Sequence, residues 1–289
     1  MDQGRIIDLR SDQLTLCLVV PVFNEEDRVA ESLDQLYEFI SARAPGSRLL
    51  FVDDGSSDRT VEVVTSAIER WGSDVVAILC CPHAGKGAAV RSGLREAGTD
   101  LAAFCDIDLS TPLDQLNRII AEAAAGNCLA IGSRAAPGAR IAQHEERRRE
   151  IAGKAFNRLV RAWLCPGVAD TQCGAKAAPT EVWRCVLPFS REDGFAWDVE
   201  VIATALRLAI PVREVGIEWN HDERTRVRVW QDGVSMVLAV PRIGLNVWRA
   251  TRKALPLMDM TNHPSDSRGG ANPYPKRPDS MICQPDEPR

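Results

Sequence analysis

The chain has 289 residues, 45% hydrophobic and 26% charged, enough to bury a sizeable core and too apolar to be disordered throughout. A formal net charge of −5 and a pI near 5.5 argue against a general nucleic-acid binder, which would carry a basic excess. Inside that acidic average lies a basic cluster over residues 134–149.

Nine cysteines do not read as a disulfide framework. Their number is odd, no CxxC pair occurs, and Cys165, Cys173 and Cys185 lack the paired spacing of a zinc site. Reduced thiols in a cytoplasmic protein are expected. The first ten residues lack the apolar core of a signal peptide. No run reaches the ~18 apolar residues that suggest a spanning helix. These readings predict a soluble or peripheral protein.

Residues 14–22 (LTLCLVVPV) form a continuous, β-branched apolar run, suited to a strand buried on both faces. Val29, Leu33, Leu36, Tyr37 and Ile40 then follow a helical period. Residues 49–52 read as the next strand, stopped by DDGSSD, with Ser57 as a cap for a helix carrying Val61, Val64 and Ile68. A third strand over 75–79 leads through HAGKG into a helix with Val90 and Leu94. A fourth, 101–105, ends at Asp106. Thr111 and Pro112 are expected to open a helix with Leu116, Ile119 and Ile120, and 129–132 is a fifth strand. Further on, 145–164 and 197–208 read as helices, and Val215, Ile217 and Trp219 alternate as in a half-buried strand. Residues 234–248 are apolar and helical but interrupted at Pro241 and Arg242. From about residue 260 the composition predicts disorder.

Repeated strand–helix units predict an α/β fold with a mostly parallel, Rossmann-like sheet flanked by helices. Such sheets bind ligands at the carboxyl ends of their strands. The acidic clusters fall there: Asn24-Glu25, Asp53-Asp54, and Asp106 with Asp108. Two carboxylates one residue apart are hard oxygen ligands suited to Mg²⁺ or Mn²⁺ on a diphosphate. Taken alone, the same pair also reads as ordinary loop acids. Asp53-Asp54 before Gly-Ser reads equally as a turn, Glu25 as a helix-start acid, and Lys86 more readily as a solvated lysine than a phosphate ligand.

The motifs PVFNEE, VDDGSSD, HAGKGAAVRSG, CDIDLSTP, IGSR and DTQCGAK occur in that order across residues 19–176. Together they resemble family 2 glycosyltransferases of the GT-A fold, and most of all the polyprenyl-phosphate sugar synthases of the dolichyl-phosphate β-glucosyltransferase type. That group's DTQCG and FDVE stand here as Asp170-Thr171-Gln172-Cys173-Gly174 and Trp197-Asp198-Val199-Glu200. The resemblance implies a catalytic domain over 14–250, after an extension at 1–13 and before a disordered Pro-rich tail at 251–289. It implies a nucleotide-sugar pocket from Pro21, Phe23, Glu25, Val52 and Asp54, a metal held by Asp106 and Asp108, and Arg134 near the donor. Arg226 would stand where the group has a late lysine, which changes a point charge into a fork, and Arg224 replaces a small residue.

In such a family the segment 134–150 is the acceptor loop, with Arg140 and Arg147 meeting the lipid phosphate. Asp198 is the remaining catalytic candidate, and Glu200 would point elsewhere. The implied reaction inverts the sugar while moving a hexose, glucose from UDP-glucose by likeness, onto a polyprenyl or dolichyl phosphate at the cytoplasmic membrane face. Mannose from GDP-mannose, or a sugar hydroxyl as acceptor, stays open. More distant readings are a DxD phosphatase, with Asp106 as nucleophile, and a non-catalytic nucleotide-binding module.

Overall fold

The computed structural model describes residues 13–141, 147–219 and 229–261; the side chains of residues 141–152, 154, 229–232, 234 and 253–261 fall outside that description. The first five strands are β1 (Leu16–Val22), β2 (Arg48–Asp53), β3 (Val76–Cys80), β4 (Leu101–Cys105) and β5 (Leu129–Ser133). Their intervening helices are α1 (Glu26–Ser41), α2 (Thr60–Trp71), α3 (Lys86–Glu96) and α4 (Leu113–Gly126). There follow β6 (Arg140–Ile141), α5 (Arg147–Trp163), β7 (Ala175–Pro179), α6 (Thr180–Val186), α7 (Trp197–Arg207), β8 (Val212–Gly216), β9 (Glu218–Trp219) and α8 (Val229–Thr261).

Seven strands form one sheet in the order β3-β2-β1-β4-β7-β5-β8, with β6 and β9 as a separate parallel pair. Only β7 runs against its neighbours: it pairs antiparallel with β4 and β5. The mixed, mostly parallel sheet flanked by helices is the architecture expected from the strand–helix alternation.

Both sheet faces are buried, which is why β1 reads as an unbroken apolar run. Leu16, Leu18, Val20 and Val22 enter the cluster beneath α1, α2 and α4, whereas Cys17 and Val19 enter the one beneath α3, α6, α7 and α8. The α3 helix approaches closely because Gly93 carries no side chain. A Cβ there would stand 2.5 Å from Val19 Cγ1 and 2.7 Å from Val52 Cγ2, closer than atoms can pack.

Four local expectations are corrected. Ser57 does not cap α2: its N–H and hydroxyl donate to Asn24 Oδ1, and Asp58 accepts from Thr60 at the helix start. Pro112 is itself the N-cap of α4, without a side-chain cap bond, and the buried Thr111 instead places Oγ1 3.8 Å from Cys173 Sγ. Pro241 does not interrupt α8, which runs 33 residues and continues beyond residue 250 to Thr261. A mid-helix proline costs ~3 kcal/mol, and the burial of Ala239, Val240, Ile243 and Val247 along the inner face offsets it. Strand β7, absent from the sequence reading, lies inside the sheet between β4 and β5.

Among the described residues, no two cysteines form a disulfide. Burial pushes the Cys173 thiol up to about 11, although Arg134 and Lys176 draw it down, so it is a poor nucleophile at neutral pH.

Candidate active site

The carboxyl edge of β1, β2 and β4 gathers the polar loops, and the reversed direction of β7 brings a fourth to the same place. Because β7 is antiparallel, its first residue, Ala175, pairs with the last residue of β4, Cys105. The loop carrying DTQCG therefore arrives beside Asp106, and the Asp106 N–H donates to the Gly174 carbonyl (3.2 Å).

Beyond Cys105 the chain leaves the strand and turns. Leu109 adopts φ 48°, its N–H donates to the Asp106 carbonyl, and Asp108 Oδ1 accepts from the Ser110 N–H at 3.0 Å. Ile107 is buried between two half-buried carboxylates. Lys86 Nζ lies 2.6 Å from Asp106 Oδ1, with only 19% of its side chain exposed. This corrects the solvated position that the sequence favours for Lys86.

Burial alone would lower the Lys86 pKa, but the carboxylates of Asp106, Asp198 and Asp108 outweigh it and hold the ammonium above the ordinary lysine range. Burial raises the Asp106 pKa, Lys86 opposes that, and Asp108 and Asp198 add to it. Three sequence-predicted acids thus act on one another electrostatically, with a cation already among them.

Asp198, at the start of α7, is buried and pairs with the fully buried Lys176 of β7, whose Nζ also donates to the Cys173 carbonyl at 2.7 Å. Lys176 is the site residue the sequence analysis passed over. It closes the DTQCGAK motif, but nothing local foretells a partner 22 positions away. Glu200 indeed points elsewhere. Its Oε2 accepts from Ser190 Oγ and from the N–H groups of Arg191 and Glu192, fixing the loop before α7.

On the other flank, Arg134 donates to Asp170 through Nε (2.7 Å), Nη2 (3.0 Å) and its own N–H (3.0 Å). Burial pushes the Asp170 carboxyl up, but Arg134 more than offsets it and holds the pKa below the usual range. The IGSR and DTQCG motifs are therefore joined by a two-pronged ion pair. Because the folded-state pKa is depressed, this stabilisation is present above the unfolded-state pKa of ~3.9 and is lost as the pH falls through the folded value. Replacing Asp170 with Asn is expected to cost about 1.5–3 kcal/mol at pH 7. Urea unfolding at stepped pH should show the gap to wild type closing below about pH 4.

The nucleotide-side candidates sit at the ends of β1 and β2. Phe23 is 37% exposed and stacks on His83, centroids 4.3 Å apart. Glu25 pairs with Arg28 at 2.9 Å. Asp54 is buried and accepts from the Ala84 and Gly85 N–H groups at 2.8 and 2.9 Å, holding the loop before α3, whereas Asp53 accepts from Gly55 and Ser56 as a turn residue does. Pro21 is half-buried beside Val52 in register, and Val52 is fully buried with its side chain towards Gly93. With no exposed surface, Val52 stands behind the pocket expected for the nucleotide and does not line it.

Arg140 is exposed in β6, its N–H donating to the Ile217 carbonyl at 2.9 Å. The Arg147 side chain, and Arg224, Thr225 and Arg226 altogether, lie outside the described residues. Among those described, no group of three or more His, Cys, Asp or Glu side chains converges on a metal position.

Comparison with known proteins agrees with this fold. The profile of glycosyl transferase family 2 matches residues 17–184. A dolichyl-phosphate beta-glucosyltransferase of Dictyostelium discoideum is 28% identical over 253 residues, covering 82% of this chain and 77% of that one. The human protein of the same description is 27% identical over 258 residues, covering 82% and 79%. The glucosyl-3-phosphoglycerate synthase of Mycobacterium tuberculosis, solved with Mn²⁺, UDP-glucose and phosphoglyceric acid, superposes with a TM-score of 0.63 at 16% identity. That superposition covers 84% of this chain and 85% of the other; at such identity it speaks for the fold.

Proposed function

The chain belongs to glycosyl transferase family 2, and we propose that within it the protein transfers glucose from UDP-glucose to a polyprenyl or dolichyl phosphate, with inversion at the anomeric carbon. The observation that carries this reading is the Asp106–Asp108–Asp198 cluster around Lys86 at the carboxyl edge of the sheet. The likeness to dolichyl-phosphate beta-glucosyltransferases over most of the chain supports both donor and acceptor.

Breaking the bond between an anomeric carbon and a nucleoside diphosphate develops negative charge on the leaving group. Lys86 supplies a charged donor beside the acids, and preorganised cations of this kind stabilise such charge. Asp106 and Asp108 fit Mg²⁺ or Mn²⁺: such ions use one or two carboxylates and take their remaining ligands from substrate phosphates and water. The cluster also already attracts a cation of its own. Bound there, the metal would supply Lewis-acid stabilisation of the diphosphate.

A phosphate monoester acceptor has a second pKa of ~6, so it attacks as a dianion without a general base. On this reading Asp198 orients a substrate group, and the exposed Arg140 receives the acceptor phosphate with Arg147. Residues 14–250 would form the catalytic unit, working at the cytoplasmic face of a membrane.

The test supplies labelled UDP-glucose or GDP-mannose, polyprenyl phosphate, and Mg²⁺ or Mn²⁺. Labelled lipid from UDP-glucose alone is the expected result; none from either donor, with a working control enzyme, refutes the reading. Asp108→Ala should lower turnover by about 10²-fold or more with an unchanged melting temperature. Near-normal turnover would remove Asp108 from the site.

A further inference from the structure

Helix α8 has two faces of opposite purpose. Ala239, Val240, Ile243, Val247 and Thr251 are buried, and its packing against α7 and α5 accounts for that face. The outer face should then be polar, yet Leu238 is 71% exposed, Trp248 46%, and Val237 and Leu245 45% each. Leu238, Leu245 and Trp248, seven and then three positions apart, fall on one side of the helix. At the end of α5, Trp163 is 68% exposed, and its neighbour Leu164 comes within 2.9 Å of where a Cβ on Gly244 would stand, so α5 delivers Trp163 beside α8.

The charge on this face has one sign. Residues 235–252 contain three arginines and no acid. Arg242 reaches Glu192 at 2.7 Å, whereas Arg249 and Arg252 make no ion pair among the described residues. Arg252 instead lies 5.1 Å over the Trp248 ring. A groove of about 660 Å³ opens between Arg191, Asn246, Trp248, Arg249, Ala250 and Arg252.

We propose that this outward face of α8, with Trp163 beside it, is the surface by which the protein docks on an anionic lipid bilayer. Apolar side chains in the acyl boundary, flanked by arginines at headgroup level, describe a helix lying in the interface. A tryptophan with its ring partly covered by a guanidinium suits the same depth. The groove offers the guanidinium groups of Arg249 and Arg252 to headgroup phosphates. Two alternatives fit less well. No described helix is long and apolar enough to cross a membrane, and the inner face of α8 is already committed to the core. A second copy of this chain would bring three more arginines and no acid against the first three.

The surface adjoins the active site. Glu192 ties α8 to the loop before α7, and the neighbouring Asp193 carbonyl accepts from the Ala88 N–H (3.1 Å) one turn into α3, the helix that begins at Lys86. Docking through α8 would hold that edge near the headgroups. The inference rests on the proposed acceptor only for why the enzyme should visit a bilayer.

The test sediments the full chain, without donor or acceptor, with vesicles of phosphatidylcholine alone or with about 30% phosphatidylglycerol. Binding is expected to the anionic vesicles, weakening with salt. Leu238→Glu/Leu245→Glu should lower partitioning at least about tenfold, and Arg249→Gln/Arg252→Gln by about 10- to 30-fold. Circular dichroism and melting temperature should match wild type for both, since these side chains project from the core. Wild type failing to bind, or both folded variants binding as it does, overturns the proposal. So does a wild-type dimer that the leucine variant makes monomeric while vesicles stay unbound. Because the assay needs no turnover, vesicle binding without glucosyl transfer would refute the proposed function and leave the docking surface standing.

Discussion

Gly174→Ala is expected to lower glycosyl transfer by about 10²-fold or more, the loss that roughly 1 Å of misplacement at a reacting centre can cause. Gly174 has no unusual dihedral; its need is for space. An added Cβ would stand 1.9 Å from Asp106 Oδ2 and 2.6 Å from Cγ, so the carboxylate must move. Retreat of the glycine is opposed by its carbonyl, which accepts from the Asp106 N–H, and by the pairing of Ala175 with Cys105 immediately after it. Asp106 would then leave both Lys86 and the position proposed for the metal. The clash lies at a half-exposed side chain on a loop, and we expect a stability cost of about 1–2 kcal/mol, small beside the catalytic loss. Steady-state turnover and chemical unfolding of the same preparation check both statements. A variant that unfolds readily yet transfers normally per folded molecule would show that the contact does not position Asp106.

This contact also marks what could be read from the chain alone. β1, β2, β4 and β5 carry continuous apolar runs because both sheet faces are covered, so their positions were plain within a residue or two. β7 was not, because AKAAP contains no β-branched or aromatic residue and includes a lysine, the opposite of a central-strand pattern. Its burial comes from neighbours on both sides, and its lysine is tolerated because Asp198 neutralises it. Ser57 and Thr111 look like caps by residue type, yet each has a tertiary partner that suits its hydroxyl better. The acids were visible as motifs at strand ends. Their pairings were not: Lys86 with Asp106, Lys176 with Asp198 and Arg134 with Asp170 each join segments distant in sequence, whose meeting depends on strand order, above all on the reversal of β7.

Removing Lys176 tests that reversal most severely. Its ammonium is fully buried, donates to Asp198 and the Cys173 carbonyl, and lies 5.4 Å from the Phe104 ring centre. Lys176→Met keeps the length and apolar stem of the side chain but leaves the buried Asp198 without its counter-charge. Breaking a buried pair from one side costs about 3–5 kcal/mol, whereas removing both charges is often close to neutral. The single variant should therefore be strongly destabilised, and Lys176→Met/Asp198→Asn should recover most of the loss in a double-mutant cycle. Activity should part company with stability. If Asp198 orients a substrate group, the double variant will be folded and inactive, because an amide restores neutrality in the core without restoring the carboxylate. Donor binding measured by calorimetry separates the outcomes: retained affinity with lost turnover assigns Asp198 to the transfer step, while normal turnover would make the pair a structural device and leave Asp106, Asp108 and Lys86 to carry the chemistry.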